Sequence, residues 1–132
     1  MSGITDLQQT LQSMKVSCDG VEYGFASVET DHTLSATELL ATFHEDGRLA
    51  VIAPLSYLKA NGIAAEGPYA KLTIEVHTSL ELVGLTAVMA TELARHGISA
   101  NVVAAFYHDH VFVQYPLRER AVALLEGLKD AH

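Results

Sequence analysis

Residues 78–85 carry the most suggestive group of chemistry-bearing residues in the chain. Thr78 and Glu81 stand at the spacing of a helix capping box, and Ser79 adds a second hydroxyl. A helix that begins here offers free backbone N–H groups and the positive end of its dipole, which together attract a carboxylate. Gly84 permits close approach of the backbone to a ligand. The spacing indicates an anion site, and the alternative is a plain cap in which Thr78 and Glu81 use up the same N–H groups.

A zwitterionic ligand such as an amino acid also needs a partner for its ammonium group. Glu81 and Asp109 are the carboxylates that can supply it. Asn101 shares a strand face with Ser99 and Val103 by the period of two, so it presents an amide on the neighbouring predicted strand.

The run His108-Asp109-His110 allows two interpretations. Two histidines at i and i+2 of a strand share a face and, with His77 as a third ligand, can hold a metal ion. The same run is typical of a polar hairpin turn, which we favour because no cysteine partner and no His-Glu-x-x-His motif accompany it. Cys18 has no catalytic histidine partner, and hydrolase, P-loop and dinucleotide-binding motifs do not occur. We therefore predict no enzyme activity, no cofactor and no metal.

Composition narrows the class of protein. The chain has 132 residues, of which 49% are hydrophobic and 18% charged, so it is not a disordered protein and can form a sizeable core. Its net charge of −8 makes nucleic acids and anionic membranes poor partners. Carboxylates such as Glu29 and Asp31 are interpreted as parts of a solvated face. A single cysteine, no visible signal peptide and no apolar run of ~20 residues predict a soluble cytoplasmic protein.

The first half of the chain shows short elements separated by turn residues. Ser35 and Glu38 form a second capping-box candidate, and Asp46-Gly47 ends the helix that they would begin. Pro54 stops a buried strand and opens a short helix. The patterns predict a helix over 4–14, a strand over 21–28, a helix over 36–45, a strand over 49–53 and a linker over 62–70.

The second half begins with a clean alternation of apolar and polar residues over 71–77, which predicts a strand. A helix stripe follows, formed by Leu82, Leu85, Met89 and Leu93 and ended by Gly97. The patterns then predict strands over 98–107 and 111–115, joined at residues 108–110, and a last helix after Pro116. This order is β-α-β-β-α, and its missing strand comes either from the first half or from the linker.

The two halves share an internal order that indicates a partial repeat. Ser35-x-x-Glu38 precedes Pro54-Leu55, and Thr78-x-x-Glu81 precedes Pro116-Leu117. The distance from cap to proline is 19 residues in the first half and 38 in the second. We interpret the first half as a shortened copy that lacks one strand.

The second half resembles the ACT domain. The resemblance rests on LTIEVHTSLELVGLTAV and HGISANVVAAFYHDHVFV, which contain the loop glycine Gly84 and the turn Gly97-Ile98. The stretch AAFYHDHVFV is similar to the ACT modules of aspartokinases and related arginine sensors. Asp109 matches an aspartate of their pattern, whereas Ala105 replaces a serine or threonine. The whole chain also resembles small, free-standing bacterial proteins built from two ACT-like modules.

The resemblance implies an α+β fold of two ferredoxin-like ACT modules of the βαββαβ type, with mainly antiparallel sheets and helices on one face. It divides the chain into a shortened module over 1–66, which includes the N-terminal helix, and an ACT domain over 67–132. It implies that the protein is not an enzyme but a regulatory protein, a homodimer that binds a small effector such as an amino acid and acts on an unidentified partner protein. The implied ligand-binding residues are Thr78, Ser79, Glu81, Val83, Gly84, Leu85, Asn101 and Asp109.

Two other functions stay open. One is a structural or protein-interaction module that dimerises through its sheets without a ligand. The other is a small enzyme or metal protein that uses His108, Asp109 and His110.

Overall fold

Two compact units make up the chain, seen in a computed structural model that describes residues 3–76 and 84–131. The terminal unit consists of Met1–Asp19 and Lys71–His132, and the central unit consists of Gly20–Ala70. In both units the paired strands are antiparallel and helices cover a sheet, which confirms the predicted α+β fold of ferredoxin-like modules.

The central unit is a sheet of four strands with one short helix, α2 (Leu55–Ala60). Its strands are β2 (Tyr23–Val28), β3 (Ala41–Glu45), β4 (Arg48–Pro54) and the first half of β5 (Glu66–Glu75), in the order β3-β4-β2-β5. The apolar side chains of β2 and β4 meet those of α2 in one core, because burial of apolar surface is the main force that holds such a layer together. This core contains Val28, Leu34, Leu49, Val51, Ala53 and Leu58.

The helix predicted over 36–45 is wrong. Only Ala36–Glu38 form a single 3-10 turn, and Ser35 makes no capping hydrogen bond; its hydroxyl pairs with that of Thr37 instead. Residues 41–45 form strand β3, joined to β4 by the two-residue turn Asp46-Gly47, in which both residues have positive φ. Asp-Gly in such a turn matches the twist of a hairpin, so it joins two strands here rather than ending a helix. The first module is therefore shortened in its helix and does not lack a strand, contrary to the prediction.

The segment predicted as a linker over 62–70 also contains strand structure. Residues 66–70 form the first half of β5 and pair with β2 through Tyr23 and Phe25. The alternation seen over 71–77 is thus the second half of a ten-residue strand that ends at Glu75.

The terminal unit contains the strand that the second half alone does not provide. Strand β1 (Lys15–Cys18) follows helix α1 (Gly3–Ser13) and pairs antiparallel with the second half of β5, with Val16 opposite Ile74 and Cys18 opposite Leu72. The sheet order is β1-β5-β7-β6, where β6 is Asn101–Ala104 and β7 is Asp109–Gln114. Of the two sources left open by the sequence, the first half supplies the missing strand.

A polar contact fixes β1 in this unit. The backbone N–H of Val16 donates to Glu126 Oε1 at 3.0 Å, across 110 residues of sequence. Glu126 closes helix α4 (Arg118–Glu126) and also pairs with Lys129 at 2.8 Å, in the four-residue helix α5 (Leu128–Ala131). The hydrogen bond from Lys129 lowers the pKa of the Glu126 carboxyl, so the acceptor of the Val16 bond stays ionised.

Helix α3 (Leu85–Arg95) packs against α4 and buries one apolar stripe. Leu85, Met89 and Leu93 are buried at spacings of four, as the sequence predicts, while Leu82 lies outside the described residues. The second half of β5 and β7 also carry fully buried side chains, namely Leu72, Ile74, Val111 and Val113. No helix in residues 3–76 or 84–131 is long and apolar enough to cross a membrane.

The second predicted hairpin exists with different bounds. The strand predicted over 98–107 is only the four-residue β6, and Asp109 and His110 belong to β7 rather than to the turn. The turn is closed by a bond from the N–H of Ala105 to the carbonyl of His108, 3.0 Å. Phe106 and Tyr107 occupy its tip, 76% and 82% exposed, with their rings edge to face at 4.8 Å. Aromatic residues therefore form the exposed tip of the turn, and His108 closes it.

Candidate functional site

The start of helix α3 is the described part of the predicted anion site. Gly84 is its N-cap residue with φ +99°, and no side chain of the described residues caps the helix. The first helical bond runs from the N–H of Val88 to the carbonyl of Gly84, so the N–H groups of residues 85–87 have no partner within α3. Four other predicted ligand residues, Thr78, Ser79, Glu81 and Val83, lie outside the described residues.

Gly84 is needed for its backbone conformation rather than for space. Among the side chains and backbone of residues 3–76 and 84–131, a Cβ atom placed there would meet Leu7 Cδ2 alone, at 3.7 Å. Its φ lies in the left-handed region that glycine adopts without strain. Leu85, the next predicted ligand residue, buries its side chain in the core, so only its backbone N–H can face a ligand.

Strand register separates the two predicted ligand residues of the β6–β7 hairpin. Asp109 lies opposite Ala104, whereas Asn101 lies opposite Phe112. Three residues of extended chain, ~10 Å, therefore separate Asn101 from the level of Asp109. His108 Nε2 lies 3.7 Å from Glu75 Oε1, which places the start of β7 at the carboxyl end of β5. Asp109 thus lies at the sheet end where β5 finishes, which is the end that precedes Gly84 in the chain. Asn101 lies at the opposite end, where β6 begins.

His110 lies on the sheet face that also carries Thr73. Its Nδ1 is 3.1 Å from Thr73 Oγ1. Burial lowers the pKa of His110, and the positive charge of Lys71 adds to the effect; Lys71 itself pairs with Asp19 at 3.4 Å. The imidazole is thereby kept neutral near pH 7, as a hydrogen-bonding group of the sheet.

The lowered pKa of His110 makes folding stability depend on pH. The unfolded chain binds a proton at this residue as pH falls through 6.5, while the folded protein resists it, so stability is full above pH 6.5 and decreases below it. His110→Gln keeps a hydrogen-bonding group for Thr73 without the titration. We expect urea unfolding of the wild type to lose more stability between about pH 7.5 and 5.5 than unfolding of His110→Gln. Equal losses in both proteins would contradict this assignment.

The described residues do not form a metal centre. In residues 3–76 and 84–131, no three His, Cys, Asp or Glu side chains are arranged to hold a metal ion. His77, the proposed third ligand, lies outside this part of the chain. Cys18 is a free, half-buried thiol.

The central unit contains a cavity that the sequence patterns do not predict. Its volume is about 460 Å³, and the loop after β2, the start of β4 and the turn after α2 line it. Glu29 and Asp31, interpreted above as part of a solvated face, lie in its wall with Arg48. Three segments far apart in sequence meet here, so spacing alone could not reveal it. The available signal was the internal repeat, because the loop after β2 corresponds to the loop after β5.

Comparisons with known proteins agree with this architecture. Two family models, each described as the ACT domain, match residues 2–70 and 64–127. No protein of curated function is a significant match.

Solved structures similar to this chain cover most of its length. A Vibrio cholerae protein of unknown function, described as a possible transport protein, is 37% identical with a TM-score of 0.84, over 97% of this chain and 99% of that one. A protein from Agrobacterium tumefaciens is 17% identical with a TM-score of 0.70, over 88% and 89% of the chains. The ligand-free regulatory subunit of aspartate kinase from Thermus thermophilus is 15% identical with a TM-score of 0.56, over 86% and 96%. The last two similarities concern the fold.

Proposed function

Because the chain belongs to the ACT-domain family, we propose that it is a non-catalytic regulatory protein that binds an amino acid at the start of helix α3 in the terminal unit. ACT domains are typically ligand-binding regulatory modules of amino-acid metabolism. The observation that carries the proposal is the start of α3 behind the left-handed Gly84, which no side chain within residues 3–76 and 84–131 caps. In the described residues, the N–H groups that a cap would occupy are free for a ligand carboxylate.

The chemistry of an amino acid fits the groups assigned to this edge. The backbone N–H groups of residues 85–87 and the hydroxyls of Thr78 and Ser79 receive the carboxylate. Asp109, at the same sheet end, or Glu81 receives the ammonium group. Charge-assisted hydrogen bonds to the carboxylate and to the ammonium group together fix a single orientation of the ligand.

Asn101 requires a separate role because it lies away from this end. Strand β6 is the edge of the terminal-unit sheet, so a second copy of the chain can reach it. We assign Asn101 to the contact of a homodimer, where it can bind a ligand held between copies. The effector then acts by differential binding: it favours one packing of the copies and shifts the state of a partner protein by that difference.

A thermal-unfolding screen with the twenty amino acids tests the proposal. An amino acid present at a hundred times its dissociation constant adds about 2.7 kcal/mol of stability, which is readily measured in a chain of this size. We expect Asp109→Asn to weaken the binding of the active amino acid by at least ~10-fold, since a hydrogen bond to a charged group contributes ~1.5–3 kcal/mol. Asp130→Asn, at an exposed position of α5, is the matched control and should bind as the wild type does.

Two outcomes would overturn the proposal: no amino acid raises the unfolding temperature, or Asp109→Asn and Thr78→Ala both respond as the wild type does. Gly84→Val is unsuitable as a test because its φ of +99° strains a β-branched residue, so lost binding and lost folding would be confounded.

The second candidate function is ligand-independent association through a sheet edge. Strand β3 is the edge of the central-unit sheet, and Phe43 on it is 57% exposed, with Leu40 also exposed just before it. An open edge with apolar side chains is a template for pairing with another chain. This function predicts a dimer that Phe43→Glu dissociates in sedimentation experiments and that no amino acid stabilises.

A further inference from the structure

We propose that the tip of the β6–β7 hairpin binds a second copy of this chain, in a groove on the outer face of helix α3. The tip consists of the aromatic residues Phe106 and Tyr107. The groove is lined by Ala87, Val88, Thr91, Glu92 and Arg95 of α3 and by Leu128 of α5. Both features lie in the terminal unit. The contact requires no ligand at the start of α3, so it stands apart from the proposed amino-acid binding.

The tip carries more apolar surface than a hairpin turn requires. Exposed turns favour Gly, Asn, Asp and Ser, because these residues suit both water and the backbone of a turn. Phe106 and Tyr107 are 76% and 82% exposed, so burial of their rings contributes little to the fold of this unit. An exposed patch of large apolar side chains indicates an interaction surface, and tyrosine is among the residues that most often anchor protein interfaces.

The tip is already ordered in the free chain. The hydrogen bond from the N–H of Ala105 to the carbonyl of His108 closes the turn. The edge-to-face arrangement of the Phe106 and Tyr107 rings holds them against each other, and the Tyr107 ring also lies 6.5 Å from the imidazole of His108. The two rings therefore lose little conformational entropy when they enter a partner.

The groove has a size and a lining that suit such side chains. Its volume is about 280 Å³, below the ~300–1,000 Å³ of sites that enclose a whole small molecule. Val88, Leu128 and the methyl group of Ala87 provide an apolar wall, against which an aromatic ring is removed from water. The hydroxyl of Tyr107 needs a polar partner when it is buried, and Glu92 in the same wall provides an acceptor.

The charges on the two sides of the contact are complementary. The tip is followed by Asp109, and Glu75 lies at the same end of the sheet. Arg95 lies in the wall of the groove. Arg120 Nη2 on α4 is 3.3 Å from His96 Nδ1, just beyond the end of α3. An acidic tip is therefore attracted to a groove with arginine at its border, which favours the correct orientation of the two copies.

The helices also form a surface that a second copy can approach without net repulsion. Helices α3, α4 and α5 contain four basic and four acidic residues, so together they carry no net charge. The net charge of −8 therefore belongs to the rest of the chain. Like charges make two copies repel each other there, whereas the helices are free of this repulsion. In a two-fold dimer the contact occurs twice, since each copy offers its tip to the groove of the other.

Analytical ultracentrifugation without added amino acids tests the inference. We expect the wild type to self-associate, and the double variant Phe106→Ser, Tyr107→Ser to raise the dissociation constant at least ~100-fold because it removes both anchors. Thr91→Glu fills the groove and brings a negative charge to meet the acidic tip, so its effect should be similar. Both changes are at exposed positions, and glutamate is a better helix former than threonine. Circular dichroism checks that each variant is folded.

Two control variants should self-associate as the wild type does. Phe43→Ser removes an exposed aromatic residue from strand β3, and Ala94→Glu adds the same charge to α3 outside the groove. If Phe43→Ser dissociates the dimer while the tip variant does not, the edge of the central unit is the interface and the inference is overturned.

A mixture of the tip variant with Thr91→Glu distinguishes this contact from any other interface. Neither variant can form the contact with itself, but a mixed pair keeps one intact tip in one intact groove. We expect mixed dimers that are weaker than the wild-type dimer, detected by fluorescence labelling of one variant. Three results would overturn the inference: no mixed dimers form, the tip variant associates as the wild type does, or the wild type stays monomeric at millimolar concentration. Because no amino acid is present, none of these results depends on whether the site at α3 binds one.

Discussion

A chain that begins at residue 20 will lose the folded structure of its terminal unit. The deletion removes α1 and β1, and with β1 the four residue pairs that it makes with β5. It also removes Leu11 and Met14, two of the most completely buried side chains in the described residues. Truncation of one such side chain to alanine costs ~2–5 kcal/mol, so loss of both and of a strand exceeds ~5 kcal/mol, comparable to the whole stability of a typical domain.

The measurement is the dispersion of amide signals in an NMR spectrum of residues 20–132, compared with the full chain. Two controls distinguish a partial loss of stability from a loss of the folded structure. Leu11→Ala should leave the fold intact but lower the free energy of unfolding by ~2–5 kcal/mol. A synthetic peptide of residues 1–19 should restore dispersed signals when it is added in excess. A shortened chain with the spectrum and unfolding midpoint of the full protein would show that β1 is dispensable.

Gly67→Ala is expected to destabilise the central unit strongly. Gly67 has φ +147°, and a Cβ atom placed there would lie 2.7 Å from the backbone oxygen of Tyr23. Backbone strain at such a conformation costs ~1–3 kcal/mol and overpacking costs a similar amount, so we expect a loss of ~2–5 kcal/mol in urea unfolding. The neighbouring oxygen belongs to a paired strand, so it cannot move aside as the end of a flexible side chain could.

Gly62→Ala is the matched control for this prediction. Gly62 also has positive φ, but a Cβ atom there meets no atom of the described residues within 4 Å, so the substitution should cost only the ~1–2 kcal/mol of the left-handed conformation. Equal losses for the two variants would mean that the close contact with β2 does not matter.

Elements whose pattern of apolar residues lies within a single segment were predicted well. The alternation of Leu72 and Ile74 identified a half-buried strand, and the stripe of Leu85, Met89 and Leu93 identified helix α3. Each pattern reflects which side chains face a core, so the strand and the helix that they predict are present in the folded protein. The resemblance then supplied the fold, which two ACT-domain matches and the strand pairing confirm.

Strand β3 was missed because local signals conflicted. Ser35 and Glu38 have the spacing of a helix start, yet the 3-10 turn there is three residues long. The decisive signal was Asp46-Gly47, which is the dipeptide of a two-residue hairpin and places β3 beside β4. A capping-box spacing occurs easily by chance, whereas pairing with β4 satisfies the whole backbone of residues 41–45.

The ligand-binding residues of the candidate site stay predictions, and their arrangement could not be predicted from the sequence. Asp109 and Gly84 were proposed from residue types and the resemblance, and the sequence did not reveal that register places Asn101 away from Asp109. The cavity at Arg48 depends on three distant segments and on bonds to Ser27, so no spacing within one segment indicated it.

The most direct test of the central claim, that this ACT protein binds an amino acid at the start of α3, is an amide NMR titration. Isotope-labelled protein is titrated with the amino acid that gives the largest thermal shift, or with each of the twenty if none does. We predict saturable shifts of the signals of residues 84–87 and Asp109, with the signals of β3 unchanged. No shift with any amino acid at millimolar concentration, or shifts that leave residues 84–87 and Asp109 unaffected, would contradict the claim.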